Sequence, residues 1–181
     1  MSEPRLLLIC GALRAASTNR LLLGAAKRLF GAAQYEEADL RLPLFDEDLE
    51  IAEGIPAPVQ RLAGQIAAAD GVMISTPEYN KMIPGVLKNA LDWVSRTKGA
   101  PWADKPVAIL SAADGRGGGD RAQYALRLAL APFRVRIVPG PEVLIAGSRQ
   151  AFDEAGRLKE ERSLKGLAGL MEAFRREIAR S

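Results

Sequence analysis

The sequence predicts a three-layer α/β fold, with a parallel sheet of five strands and helices on both faces. Two observations carry this: apolar runs of strand length, and helix-length segments whose apolar residues recur at spacings of three and four. A third is their order, since the two kinds alternate along the chain, as repeated strand–helix units require. At 181 residues the chain is expected to be one domain, 1–181, burying about two thirds of the surface its unfolded form exposes.

Residues 6–10 (L-L-L-I-C) make the first strand. Residues 17–30 follow as a helix, opened by a Ser/Thr/Asn cluster and carrying Leu21, Leu22, Ala25 and Leu29 on one face. The second strand is placed at 36–40. Residues 43–58, acidic and Pro-containing, read as a surface excursion. A helix at 58–69 leads into the third strand, 71–76, and a helix at 85–97 places Val86, Leu87, Ala90, Leu91 and Val94 at helical spacing. The fourth strand is 106–110, followed by a helix at 121–130 that Pro132 stops. The fifth strand is placed at 135–138, with a continuation toward Ile145. Leu164, Leu167, Met171, Phe174 and Ile178 form the apolar stripe of a last helix that docks on the sheet.

Composition narrows the chemistry. Net charge is +3, from 25 basic and 22 acidic residues, with no dense basic block, which argues against a nucleic-acid partner. No twenty-residue apolar span and no secretion signal is visible, so a cytoplasmic protein without a membrane segment is expected. One cysteine cannot form an internal disulfide. The absence of histidine removes Ser-His and Cys-His dyads and His-ligated zinc, and no metal site is expected. Cys10 reads as a small packing residue without a base beside it.

Three stretches stand where strands of such a sheet end and the ligand crevice opens. In G-A-L-R-A-A-S-T-N (11–19), Gly11 permits close backbone approach, while Arg14, Ser17 and Asn19 offer a charge and short polar groups suited to a phosphate. The plainer alternative is a helix cap with a solvated arginine. The loop is neither a Walker A sequence nor G-x-G-x-x-G. In T-P-E-Y-N-K-M-I-P-G-V-L-K-N-A-L-D-W (76–93), Pro77 and Pro84 stiffen a loop that presents main-chain groups and Tyr79 to a flat ring; the alternative is a rigid turn packed on the sheet edge. In the order 2-1-3-4-5 this loop faces the first across one crevice. The third stretch, A-A-D-G-R-G-G-G-D-R (112–121), has four glycines in five positions beside Arg116 and Arg121. It is read as a mobile wall of the same crevice, against the alternative of a flexible solvent loop.

With these motifs the chain resembles the NADPH-dependent FMN reductase family, whose quinone and chromate reductases have a flavodoxin-like fold. The similarity spans about the first three quarters of the chain, and the middle motif is the most specific. It implies that Gly11, Leu13, Arg14, Ser17 and Asn19 surround the FMN phosphate, that Pro77, Glu78, Tyr79 and Asn80 line the ribityl chain and isoalloxazine, and that Ser111 and Gly115 close the third side. Lys81, Met82, Arg116 and Arg121 are then expected at the substrate side. Ala12 stands where the family commonly has serine, and Lys81-Met82 replaces a more usual small polar residue at the second place.

The resemblance further implies NADPH or NADH as donor, a quinone, flavin, azo or chromate-like acceptor, ping-pong turnover and a homodimer or homotetramer. Trp93 and Trp102 flank the helix after the flavin loop, where a second subunit would cover the site, while Trp93 reads equally as ordinary core. Because the cofactor carries the hydride, no protein acid or base is required. Two other readings compete: a flavodoxin-type electron carrier, opposed by the basic charge and Arg14, and a flavin-free module on the same fold.

Overall fold

In the computed structural model, which describes residues 3–180, five strands follow the order β2-β1-β3-β4-β5 and a sixth pairs with β4, all in parallel. They are β1 (Arg5–Cys10), β2 (Gln34–Glu37), β3 (Gly71–Thr76), β4 (Pro106–Ala112), β5 (Arg136–Ile137) and β6 (Val143–Ile145). The helices are α1 (Thr18–Phe30), α2 (Glu47–Glu53), α3 (Ala57–Ala68), α4 (Gly85–Ser95), α5 (Asp120–Leu130) and α6 (Glu161–Ile178).

Alternation along each central strand divides the core into two. Leu6, Leu8, Met73, Ala108 and Leu110 face one side and pack with Leu22, Ala26, Leu167, Met171 and Phe174 of α1 and α6. Leu7, Ile9, Val72, Ile74, Val107 and Ile109 face the other, beneath Leu62 and Ile66 of α3, Leu87 and Leu91 of α4, and Leu126 of α5. β1, β3 and β4 are buried on both faces, hence their continuous apolar runs. Register aligns their ends: Cys10 pairs with Ser75 and Thr76 with Ser111, so the three following loops leave from one level.

Three expectations need correction. The second strand lies at Gln34–Glu37, ahead of the expected 36–40, because this edge strand is mostly exposed and has no apolar run to mark it. Leu40, which suggested the later position, is buried from a coil segment instead. The fifth strand is broken at Pro139-Gly140-Pro141, where two residues lack an N–H. β5 pairs with the start of β4, and β6 with its end.

The excursion at 43–58 contains α2, capped by Asp46, whose side chain accepts from Asp48 N at 2.9 Å. No residue of α2 is buried, so no apolar stripe announced it. The preceding turn is fastened to α4: Phe45 N donates to Asn89 Oδ1 (2.8 Å), and Asn89 Nδ2 and Trp93 Nε1 donate to Pro43 O (2.9 and 2.8 Å). Trp93 and Trp102 are buried within this chain, Trp93 as the core residue that the alternative reading allowed.

Candidate functional site

The loop after β1 sits against the loop after β3. Gly11 N donates to Ser75 O at 2.8 Å, and a Cβ on Gly11 would stand 3.1 Å from Pro77 Cδ, so the glycine lets the two turns touch. The chain then turns through Arg14, whose carbonyl accepts from Ser17 N (3.1 Å), and Ser17 caps α1 by accepting from Asn19 N (3.2 Å). Leu13 is half-buried, and its carbonyl accepts from Arg41 Nη2 (3.2 Å). Arg14 is exposed, and its guanidinium has no partner among the described residues.

Asn19 lies beneath this loop, only 1% exposed. Its Nδ2 donates to Ala112 O (2.8 Å), while its Oδ1 accepts from Ser75 Oγ (2.8 Å) and Ala112 N (3.0 Å). It therefore ties α1 to the ends of β3 and β4.

The middle loop is a two-residue hairpin tip. Tyr79 N donates to Met82 O and Met82 N to Tyr79 O, both at 3.0 Å, and Asn80 and Lys81 between them have φ of 51° and 66°. Two successive left-handed residues make a type I′ turn, which usually selects glycine at its second place. Tyr79 and Met82 project from it, 53% and 55% exposed. Pro77 is buried at the base, and the Glu78 side chain crosses to α5: Oε2 accepts from Ala122 N (3.2 Å), with Arg121 Nη1 at 3.9 Å from Oε1. A carboxylate on a first-turn N–H is a favourable helix cap, and it joins the middle loop to the third.

The third loop packs closely against β6 and Ser111 at its C-terminal part. Gly118 and Gly119 have φ of 59° and 95°, and a Cβ there would meet Leu144 C at 2.7 Å and Ser111 Cβ at 2.8 Å. Ser111 is fully buried; its Oγ donates to Gly118 O (2.7 Å) and accepts from Gln123 Nε2 (3.0 Å), which also donates to Val143 O (2.9 Å). Gly115, by contrast, is exposed and a Cβ there would meet nothing. Arg116 is exposed and unpartnered among the described residues. Gln123 was missed by sequence reasoning, since a glutamine inside a helix gives no signal until the sheet is placed beneath it.

The three loops thus surround the carboxyl ends of β1, β3 and β4, the crevice of an open α/β sheet. They carry four exposed cations, Arg14, Lys81, Arg116 and Arg121. Backbone N–H groups of Leu13, Arg14, Ala15, Ala16 and Thr18 have no acceptor among the described residues. Such a run beside an unpaired guanidinium suits a phosphate dianion, with the Ser17 hydroxyl as a further donor, so the residues present fit a flavin mononucleotide. No described group of three or more His, Cys, Asp or Glu is placed to hold a metal, and no described helix is long and apolar enough to cross a membrane.

A NAD(P)H-dependent FMN reductase of Pseudomonas aeruginosa is 41% identical over 174 residues, covering 95% of this chain and 94% of its own. A quinone reductase of Escherichia coli K12 is 37% identical over 185 residues, 99% and 98% of the two chains. Among solved structures, the flavoenzyme NAD(P)H:(acceptor) oxidoreductase FerB of Paracoccus denitrificans superposes with a TM-score of 0.88 at 30% identity, over 98% of both chains. The family described as NADPH-dependent FMN reductase matches residues 4–150. With a flavodoxin-like sheet and a phosphate-ready loop at its switch point, the chain belongs to the NADPH-dependent FMN reductase family, oxidoreductases that use FMN with NAD(P)H as electron donor.

Proposed function

We propose that residues 1–181 form one FMN-binding domain that reduces a small-molecule acceptor, a quinone foremost, at the expense of NAD(P)H. The observation that carries this reading is the contact of Gly11 with Pro77, which sets an anion-ready turn beside a stiff, exposed hairpin tip. Arg14, Ser17 and the free N–H groups of Leu13, Arg14, Ala15, Ala16 and Thr18 bind the phosphate. Pro77, Glu78, Tyr79 and Asn80 brace the ring system, and Gly115 closes its third side. Asn19 and Ser111 act from beneath, holding the loop ends in place through their internal hydrogen bonds.

FMN held by these residues would supply the hydride-transfer chemistry, so the chain itself needs neither a histidine nor a reactive thiol. Lys81, Arg116 and Arg121 attract the donor phosphates, Arg116 and Arg121 favouring NADPH, and Met82 contacts the acceptor. One open face serves donor and acceptor in turn, which gives ping-pong kinetics and accommodates quinones, free flavin, azo compounds and chromate-like oxyanions. A cytoplasmic homodimer or homotetramer is the matching assembly. The 37% identity to a quinone reductase over almost the whole of both chains supports the choice of acceptor.

The test begins with the absorbance of the purified protein and anaerobic addition of NADPH, which should bleach the flavin band until quinone restores it. Arg14→Ala should raise the FMN dissociation constant about tenfold or more through loss of a charge-assisted contact. Initial rates should give parallel double-reciprocal lines. An unchanged dissociation constant removes Arg14 from the site, and intersecting lines refute the shared face.

A further inference from the structure

We propose that the amino end of the sheet carries a second small-molecule site, which takes a planar aromatic monoanion of the arene-carboxylate class. A cavity of about 270 Å³ lies there, walled by Val94 at the end of α4, Pro101 and Trp102 of the following loop, and Pro132, Phe133 and Arg134 beyond α5. An apolar cavity of about 150 Å³ admits one benzene ring, so this one has room for a ring and a carboxylate. β4 begins just past Trp102 and ends at the crevice; its seven residues, at about 3.3 Å each, put the cavity about 20 Å from the proposed flavin site.

The chemistry of the wall selects the ligand. Trp102 and Phe133 meet edge to face with centroids 6.3 Å apart, presenting aromatic surface to a ring. Trp102 Nε1 is buried with no hydrogen-bond partner among the described residues, although a buried indole N–H ordinarily finds one. The exposed Arg134 guanidinium has no partner among the described residues. Two unmatched donors call for an acceptor-bearing, negatively charged occupant.

Three acceptors at the end of α4 are already taken. Ser95 Oγ donates to Asp92 O (2.6 Å) and Thr97 Oγ1 to Val94 O (2.7 Å), while Arg96 N donates to Trp93 O (3.0 Å). The carbonyls of Asp92, Trp93 and Val94 are thereby answered, and a donor-bearing ligand would find none of these three free.

The walls are also held in costly conformations. Ala100, Asp104 and Arg134 have φ of 45°, 57° and 56°. None is glycine, and left-handed residues of this kind gather at ligand sites when the surrounding structure over-determines them. Here Asp104 N donates to Arg134 O (3.1 Å), Lys105 N to Trp102 O (3.0 Å) and Arg136 N to Lys105 O (2.9 Å), fixing one wall against the other before any ligand arrives. The loop that bears Trp102 and the turn that bears Arg134 are therefore preorganised together.

Benzoate titrated into the FMN-loaded, ¹⁵N-labelled protein tests the site. The chain has two tryptophans, and Trp93 Nε1 already donates to Pro43 O, so it serves as an internal control. The expected result is a saturable shift of the Trp102 indole N–H resonance, identified by its loss in Trp102→Phe, with the Trp93 resonance unmoved. Arg134→Asn keeps a residue that tolerates the left-handed region and should weaken benzoate about tenfold or more. Three results would overturn the proposal: no saturable shift at Trp102, benzamide binding as tightly as benzoate, or release of benzoate by excess FMN, which would move the binding to the crevice. Because Trp102→Phe serves only to assign the resonance, a folding defect in that variant leaves the Arg134→Asn and benzamide comparisons decisive.

Discussion

The side chain of Asn19 makes three hydrogen bonds inside the protein, to both backbone groups of Ala112 and to the hydroxyl of Ser75. Asn19→Ala strands a buried N–H, a carbonyl and a hydroxyl, and should cost about 3 kcal/mol, read as a lower urea midpoint of the flavin-free protein. The polar cluster of the first loop marked Asn19 as a ligand contact, and the family resemblance marked Ser111. Their burial depends on Ala112, Gly118 and Gln123, partners that local pattern does not name. Arg14 and Gly115 remain exposed where the motif placed them. A further residue prediction concerns pH. The Tyr35 hydroxyl closes the end of α1, donating to Gly31 O (2.6 Å) and Lys27 O (3.1 Å), and partial burial raises its pKa above the ordinary 10.0 against an opposing effect of Arg175. The folded chain thus keeps a proton that the unfolded chain releases. That stabilisation is complete below pH 10.0 and is lost as pH rises through the folded value. Denaturant midpoints followed from neutral pH to beyond 10.0 should decline less in Tyr35→Phe than in the parent; identical declines would refute it.

At the scale of elements, the hairpin tip is the strained piece. Asn80 suits the first place of a type I′ turn, but Lys81 occupies the second at φ 66°, a region that costs an ordinary L-residue about 1–2 kcal/mol. Lys81→Gly should therefore stabilise the protein by about 1 kcal/mol while raising KM for NADPH, because the proposed phosphate contact leaves with the charge. A gain in stability with KM unchanged would separate the turn from the substrate site. Elements with an interior face were legible: β1, β3 and β4 and helices α1, α3, α4, α5 and α6 all carry buried apolar positions. Those without one were not. α2 buries nothing and is held by caps and by Arg96 Nε on Glu50 Oε2 (2.7 Å), and β2 is an edge strand of mixed polarity. The split of the fifth strand was written in Pro139 and Pro141, but its pairing with both ends of β4 required the sheet.

For the molecule as a whole, binding and folding are linked, and the linkage separates residues that grip a ligand from residues that hold the loops. FMN bound only by the folded chain at 100 times its dissociation constant adds about 2.7 kcal/mol of stability. For a chain of this size that is a rise in Tm of roughly 5–11 °C. Arg14 has no partner among the described residues, so Arg14→Ala should leave the Tm of the flavin-free form within about 1 °C, in line with the small effect of most surface substitutions. A tenfold weaker complex at the same FMN concentration retains about 1.4 kcal/mol of linkage, and the rise on adding FMN should fall to about half. Asn19→Ala should do the opposite: the flavin-free Tm falls at once, and where the loop re-forms, most of the flavin-induced rise survives. Scanning calorimetry of the parent and both variants, with and without FMN, reads all of these shifts. Equal losses of flavin-free Tm in the two variants would make Arg14 a structural residue, and an undiminished rise in Arg14→Ala would place the phosphate elsewhere.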